Sequence, residues 1–247
     1  MTINGIDVSR WQGNINWNRV KSTNVGFAIL KLGGADNGYY VDSCFEQNYT
    51  NAKAAGMPIG AYWYSDARSG DDARNEAKWV IEKLKGKQFE YPIYMDVEQQ
   101  SVLQLGRDKV SDIIASFLNE MEKAGYFAGL YMSASPLTSL TTDGIKKRYA
   151  IWVAHYDVAA PSYSGQYGMW QKSCTGKISG ISGNVDLDVC YVDYPTEIKK
   201  SCKNGFTTAP TPQPEPEPTP TQPDLKTIKA ELTVDGVKYG GTLTEIK

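Results

Sequence analysis

Short apolar runs alternate with amphipathic stretches along most of the chain. Eight of these runs have the length and the β-branched or aromatic content of strands. They are NGIDVS, VGFAILKL, PIGAYWYS, PIYMDVE, AGLYMS, YAIWVAHY, YGMWQK and VDLDVCYV. Between several of them the apolar positions follow the period of a helix, as in DDARNEAKWVIEKLK and DKVSDIIASFLNEMEKAG. This rhythm predicts an α/β fold.

The number of strands favours a closed barrel over an open sheet. About eight strands in a segment of this length suit a small, irregular (β/α) barrel. Periodicity alone also allows an open doubly wound sheet, but the sequence has no G-x-G-x-x-G or Walker A motif to support its nucleotide-binding form. We therefore expect residues 1–206 to form one β/α barrel.

The composition changes abruptly after this barrel segment. Residues 207–223, TTAPTPQPEPEPTPTQP, hold seven of the 12 prolines and predict an extended linker. In residues 224–247, alternating apolar positions flank Asp235-Gly236, which is a strong signal for a β-hairpin. The sequence thus predicts a barrel, a Pro/Thr/Glu linker and a short C-terminal hairpin.

The predicted hairpin has one apolar face. Its members are Leu232, Val234, Val237, Tyr239 and Leu243. A two-stranded hairpin alone is marginally stable in water, so we expect this segment to find a partner. Pairing with copies from other chains, which gives a homo-oligomer, is the preferred interpretation. Direct binding to the substrate surface, docking on the barrel and a disordered remnant are the alternatives.

The charge balance excludes some classes of partner. With 26 basic and 28 acidic residues the net charge is −2, so no large positive field attracts nucleic acid or an anionic membrane. No apolar stretch approaches the roughly 20 residues of a membrane helix, and MTINGIDVSRW lacks the features of a signal peptide. We expect no nucleic-acid partner, no membrane insertion and synthesis in the cytoplasm.

The cysteines and the single histidine do not predict a metal site. Cys44, Cys174, Cys190 and Cys202 show no C-x-x-C spacing, and His155 is the only histidine. This pattern argues against zinc and against a His-assisted nucleophile, and we expect neither metal nor cofactor. Buried thiols are the preferred interpretation, with a disulfide between two of the last three cysteines as the alternative.

The most informative segment is PIYMDVEQQ, in which an apolar strand ends in Asp96 and Glu98. Side chains two apart on a strand share a face, so the two acids point the same way. Two carboxyl groups placed together away from water raise at least one pKa, which gives a protonated acid beside a carboxylate. Glycoside hydrolysis needs such a pair.

Further acids recur at strand positions in Asp7, Asp186 and Asp188. Barrel enzymes collect catalytic groups from several strand ends at one rim, so the first, middle and last strands can converge there. Aromatic residues near strand ends suit the flat C–H faces of sugars. The predicted sugar-binding residues are Trp11, Tyr62, Tyr64, Tyr131, Trp152 and Trp170.

The motifs together resemble a known family. GIDVSRWQG, IGAYWYS, PIYMDVE, GLYMS, IWVAHY, MWQ and NVDLD, in that order from residue 3 to about residue 194, look like the glycoside hydrolase family 25 muramidases, the Chalaropsis-type lysozymes. The resemblance implies an irregular β/α barrel that cleaves the bond between N-acetylmuramic acid and N-acetylglucosamine in bacterial peptidoglycan.

The resemblance also implies roles for the acids. Glu98 matches the proton donor of the family and Asp96 its neighbouring carboxylate, while Asp7 and Asp186 match two further acids. Asp188 stands where that family usually has Asn, so either Asp186 or Asp188 could face the site. A retaining, acetamido-assisted route is the preferred mechanism.

The biological setting and the alternatives follow from the same resemblance. We expect a phage or prophage endolysin that reaches the cell wall after holin-type release, with a bacterial autolysin as second choice and the tail as a possible wall-targeting element. A chitinase-like hydrolase and a non-catalytic glycan-binding barrel are the alternative functions.

Overall fold

The predicted strands form a closed barrel in the computed structural model, which describes residues 2–207 and 227–244. All eight sequence segments identified as strands are strands of the barrel, and one two-residue strand, β3, is added to its sheet. The nine strands are Ile3–Val8 (β1), Val25–Gly34 (β2), Tyr40–Val41 (β3), Ile59–Tyr64 (β4), Ile93–Asp96 (β5), Ala128–Ser133 (β6), Ala150–Ala154 (β7), Met169–Gly176 (β8) and Val185–Cys190 (β9). The predicted barrel class is confirmed.

The barrel closes through a strand of opposite direction. Its order is β1-β9-β8-β7-β6-β5-β4-β2, and β2 returns to pair with β1. Six neighbouring pairs are parallel: β1–β2, β2–β4, β4–β5, β5–β6, β6–β7 and β7–β8. Strand β9 is antiparallel to both of its neighbours, β1 and β8. Because β9 runs backwards, its first residues lie beside the carboxyl ends of the other strands.

Helices follow most of the parallel strands. They are Trp17–Lys21 (α1), Phe45–Ala54 (α2), Gly70–Leu84 (α3), Gln100–Leu103 (α4), Arg107–Lys123 (α5), Ala134–Leu140 (α6), Asp143–Arg148 (α7) and Tyr194–Lys200 (α8). Helix α3 begins where Ser69 Oγ accepts a hydrogen bond from Asp72 N at 3.1 Å. Trp63 faces this helix, as its strand position predicts, and its indole N–H donates to Glu76 Oε2 at 2.9 Å.

The alternation of strand side chains separates two apolar layers. In β2, Ala28, Leu30 and Leu32 belong to the layer between the strands and the helices, while Phe27 and Ile29 fill the barrel interior. The next inward residue of β2 is Lys31. The interior therefore changes from apolar to polar toward the carboxyl ends of the strands.

The amino-terminal end of the barrel is closed by apolar contacts. Tyr194 and Ile198 of α8 belong to the interior layer, and the Tyr194 ring lies 6.0 Å from that of Tyr91. Asn204 fixes the following segment, because its buried side chain accepts from Phe127 N at 2.7 Å and donates to Tyr91 O at 2.9 Å. These contacts fill the interior of the barrel at its amino-terminal end.

The C-terminal hairpin is also observed. Strands Thr227–Val234 (β10) and Val237–Thr244 (β11) pair antiparallel around Asp235 and Gly236, whose φ angles of 51° and 80° suit a two-residue turn. The predicted linker, 207–223, lies outside the described residues except for Thr207, as do 224–226 and 245–247.

The cysteines differ from the prediction of buried thiols. All four are free, but only Cys190 is buried, whereas Cys174 and Cys202 are exposed. Cys174 lies near the end of β8, beyond the part of that strand that is buried in the barrel, and Cys202 lies in the turn after α8. In the described part of the chain, no helix is long and apolar enough to cross a membrane.

Candidate active site

The predicted acids converge at the carboxyl end of the barrel. Asp96 ends β5, and Glu98 follows two residues later on the same side. Asp7 of β1 stands directly opposite Asp186 of β9 in the antiparallel register. Because β9 runs backwards, Asp186 near its start and Asp7 near the end of β1 reach the same opening.

Two adjoining cavities occupy this opening, and we refer to them together as the acidic cleft. The deeper one has a volume of about 120 Å³ and the outer one about 390 Å³. Five residues line both of them: Asp7, Tyr62, Asp96, Glu98 and Asp186. All four of the acids to which catalytic roles were assigned therefore face one space.

Asp96 is the most enclosed member of the Asp96–Glu98 pair. It is 3% exposed, and no hydrogen-bond donor among the described residues reaches its Oδ1. Burial raises the pKa of Asp96 well above its usual range, and the charge of Glu98 raises it further, while Lys31 lowers it. Asp96 thus lines the cleft while one of its two carboxyl oxygens is buried without a partner among the described residues.

Glu98 lies at the mouth of the cleft. Its side chain reaches solvent, yet the surrounding walls remove enough water to raise its pKa. Lys31 lowers this pKa and Asp186 raises it. A carboxyl group with these properties retains its proton at higher pH than an ordinary glutamate and is accessible to a ligand.

Asp7, Asp186 and Asp188 form a second acidic group. Burial raises the pKa of all three, most strongly for the fully enclosed Asp7 and Asp188. A hydrogen bond with Asp188 raises the pKa of Asp7, whereas hydrogen bonds with Asp7 lower the pKa values of Asp186 and Asp188. The three carboxyl groups are thus coupled to one another, and burial disfavours their simultaneous ionisation.

The structure places Asp186 and Asp188 at different depths. Asp186 lines both cavities, whereas Asp188 is 1% exposed and lines neither. Asp188 Oδ1 accepts a hydrogen bond from Trp152 Nε1 at 2.9 Å. Asp186 is thus the residue that faces the cleft, and Asp188 supports the acidic group from below.

Gln171 is a site residue to which the sequence analysis assigned no role. Its Nε2 donates to Asp7 Oδ2 at 2.7 Å, and its Oε1 accepts from Tyr131 OH at 2.6 Å and from Tyr156 OH at 2.7 Å. One amide therefore connects the acidic group to two tyrosines of the cleft. In the sequence, the feature that could have indicated this role is a glutamine within the predicted strand YGMWQK.

Lys31 was missed as well. Its Nζ lies 4.9 Å from the centre of the Tyr64 ring and 5.7 Å from that of Tyr62. It borders the outer cavity and lowers the pKa of both Asp96 and Glu98. The feature of the sequence that could have indicated its role is that Lys31 is the only charged residue in the apolar strand VGFAILKL.

Four of the predicted aromatic residues border the cleft with accessible or polar surfaces. Tyr62 lines both cavities, Tyr131 the deeper one, and Tyr64 the outer one. Trp11 is 77% exposed at the rim, on a short 3₁₀ turn held by reciprocal hydrogen bonds between Ser9 and Gln12. This rim position suits an aromatic platform for a sugar ring.

The other two aromatic residues, Trp170 and Trp152, offer no open face to a sugar ring. Trp170 faces outward on β8, is 8% exposed and donates its indole N–H to His155 O at 2.8 Å, so it does not line the cleft. Trp152 borders the deeper cavity but is 1% exposed, packed 4.5 Å from the Tyr131 ring. It positions Asp188 and offers no open stacking face.

We found no metal centre in the ranges that the structure describes. Within residues 2–207 and 227–244, no group of three or more His, Cys, Asp or Glu side chains could hold a metal ion.

Comparisons with known proteins agree on one family. Residues 6–181 match the family described as glycosyl hydrolases family 25. Lysozyme M1 of Streptomyces globisporus is 33% identical over 202 residues, which cover 74% of this chain and 66% of that protein. The autolytic lysozyme of Clostridium acetobutylicum is 28% identical over 251 residues, which cover 98% of this chain and 71% of that protein.

A solved structure gives the same result. The CTP1L endolysin has a TM-score of 0.71 and 29% identity, covering 80% of this chain and 69% of that chain. This chain thus spans roughly two thirds of the length of these relatives.

The buried acidic group predicts an unusual dependence of stability on pH. The folded-state pKa values of Asp7 and Asp188 lie above the ordinary value of 3.8, so the folded state binds more protons than the unfolded state. The contribution of these two protonated acids to the free energy of unfolding is fully present below pH 3.8, and it is lost as the pH rises through their raised pKa values. Asp188→Asn keeps an acceptor for Trp152 and removes the charge, so it should increase the free energy of unfolding at pH 7.

Urea unfolding of the wild type and Asp188→Asn between pH 4 and pH 8 tests this prediction. The variant should lose less stability than the wild type as pH rises. Asp143→Asn removes an exposed acid, with 78% of its side chain accessible, and should follow the wild type. If the free energy of unfolding of Asp188→Asn and of the wild type changed with pH in parallel, ionisation of the buried acids would not destabilise the fold.

Proposed function

The chain belongs to glycosyl hydrolase family 25, and from this premise we propose an activity for its acidic cleft. The activity is that of a 1,4-β-N-acetylmuramidase, which cleaves the bond between N-acetylmuramic acid and N-acetylglucosamine in bacterial peptidoglycan. Relatives named as lysozymes support this substrate. The observation that carries the proposal is the Asp96–Glu98 pair, a buried carboxyl beside an accessible one at the open end of the barrel.

Glu98 is the proposed proton donor. It lies at the mouth of the cleft, and its raised pKa keeps the carboxyl protonated at a pH where an ordinary glutamate is ionised. Protonation of the glycosidic oxygen releases the leaving sugar as an alcohol. The same carboxylate then accepts a proton from the water that completes hydrolysis.

Asp96 is the proposed orienting carboxylate. Asp96 lines the deeper cavity, so the acetamido N–H of N-acetylmuramic acid can donate a hydrogen bond to its carboxylate. In that arrangement the acetamido carbonyl oxygen attacks the anomeric carbon while the bond to the leaving oxygen breaks. The resulting oxazolinium ion carries positive charge next to Asp96, which stabilises it. Water then opens the ring, and the sugar configuration is retained.

Asp7, Asp186 and Asp188 are proposed to assist without transferring the proton to the leaving group. Asp186 faces the cleft and adds negative charge near the developing cation. Asp7, held by Gln171, and Asp188, held by Trp152, position it from behind. Trp11, Tyr62, Tyr64 and Tyr131 are the proposed contacts for neighbouring sugars.

The relatives also suggest a biological setting. One is named as an endolysin and another as an autolytic lysozyme. We propose that this chain likewise acts on the bacterial cell wall, in a phage or prophage context. A chitinase-like substrate is the alternative within the same chemistry.

Glu98→Gln tests the proton donor. The amide has nearly the same shape but cannot deliver a proton, so kcat on purified peptidoglycan should fall by about 10²–10⁴-fold. The unfolding midpoint should not fall, since a neutral amide replaces a carboxyl in a cleft that disfavours charge. Glu82→Gln, whose side chain is 61% accessible, is the matched control and should keep the wild-type rate. If Glu98→Gln retained half of the wild-type kcat, Glu98 would have no role in proton transfer.

Asp96→Asn tests the acetamido-assisted route. A thiazoline analogue of N-acetylglucosamine resembles the oxazolinium ion and should inhibit the wild type. Its binding should weaken at least tenfold in Asp96→Asn, because the charge opposite the ring nitrogen is lost. Asp36→Asn changes another acid that borders the outer cavity and should bind the analogue unchanged. Isothermal titration calorimetry gives these affinities, and equal affinity of the wild type and Asp96→Asn would rule out the assisted route.

A further inference from the structure

The C-terminal hairpin exposes a concentrated apolar face. Leu232 is 63% exposed, Val234 47%, Val237 53% and Tyr239 57%. The strand register pairs Leu232 with Tyr239 and Val234 with Val237, so these four side chains stand together on one side of the hairpin. A group of large apolar side chains on one face marks an interaction surface.

Strand β10 also offers a free edge. Among the described residues it pairs only with β11. Val234 and Val237 flank the two-residue turn and form a hydrogen-bonded pair, and such pairs alternate along the ladder. The backbone N–H and C=O groups of Lys229 and Glu231 are therefore directed away from β11. They can pair with another strand.

The sequence of β10 is complementary to itself. Around Ala230, the segment TIKAELT has Thr at both ends, then Ile and Leu, then Lys and Glu. When two copies of this strand pair antiparallel about a two-fold axis at Ala230, Lys229 of each copy stands opposite Glu231 of the other. This register also makes Lys229 and Glu231 a hydrogen-bonded pair, as their outward backbone groups require.

The other edge lacks this property. Strand β11 contains Lys238 but no acidic residue between Val237 and Thr244. A two-fold pairing of β11 would leave its lysines without a partner of opposite charge. Charge complementarity therefore selects β10 as the edge that meets a second copy of the chain.

We propose that the hairpin is a self-association module in which two copies join through their β10 edges. The product is a four-stranded antiparallel sheet of order β11-β10-β10-β11, with the apolar side chains of both copies on one face. Face-to-face packing of two such sheets extends the same assembly to four chains. If the proposed function holds, each assembly carries two or more muramidase barrels, which increases its avidity for a polymeric wall.

Light scattering coupled to size exclusion tests the proposal on the full 247-residue chain. The wild type should have at least twice the monomer mass of 27.3 kDa at micromolar concentration. Lys229→Glu places two acids opposite each other at two symmetric positions, and Glu231→Lys does the same with two lysines. Each single variant should raise the dissociation constant at least tenfold. The double variant Lys229→Glu/Glu231→Lys restores opposite charges and should recover the wild-type mass.

The matched control is Lys238→Glu, which makes the same charge change on β11 and should keep the assembly. Hydrolysis of a small soluble glycan should be equal in all variants, which verifies that the barrel is intact. A monomeric wild type would overturn the proposal. An assembly that survives both single variants, or one that the double variant fails to restore, would show that the β10 edges do not meet in this register.

Discussion

The cost of holding several carboxyl groups inside a barrel opening is the constraint on which the site depends. Burial raises the pKa of Asp7, Asp96, Asp186 and Asp188, so the group is stable only with shared protons and hydrogen-bond donors. Most of these donors are present: the Gln171 amide holds Asp7 and the Trp152 indole holds Asp188. Two carboxyl oxygens, Asp96 Oδ1 and Asp188 Oδ2, are buried without a hydrogen-bond partner among the described residues.

The topology brings these groups together. Strand β9 runs against its neighbours, so Asp186 reaches the rim from the beginning of a strand while Asp7 and Asp96 reach it from the ends of strands. The other end of the barrel is filled by aromatic packing around α8. One end therefore supplies stability and the other chemistry, the usual division in barrel enzymes. The raised pKa values are thus a consequence of the fold, and in the proposed mechanism the shift at Glu98 favours the protonated form that a proton donor needs.

The local pattern predicted the eight barrel strands and the clustered acids, because strand alternation and strand ends can be read from neighbouring residues. It could not predict the direction of β9, which depends on pairing with β1 across nearly the whole sequence. The prediction that Trp170 binds sugar was wrong for a related reason. Barrel strands carry apolar residues on both faces, so the composition of a strand does not show which side chains face inward. In β8, the inward direction of Gln171 means that the neighbouring Trp170 faces outward. Lys31 and Gln171 cannot be identified as site residues from their local sequence, because only the folded barrel brings them beside the acids.

The most direct test of the central claim is the chemical identity of the sugar end that the cleft produces. Purified peptidoglycan and chitin should be digested with the wild-type chain, reduced with borohydride and hydrolysed, and the resulting sugar alcohols identified by mass spectrometry. We expect muramicitol from peptidoglycan, in amounts that the Glu98→Gln variant does not reach, and no comparable product from chitin. Glucosaminitol as the main peptidoglycan product, efficient cleavage of chitin, or release of free peptides without new sugar ends would contradict the assignment of a muramidase.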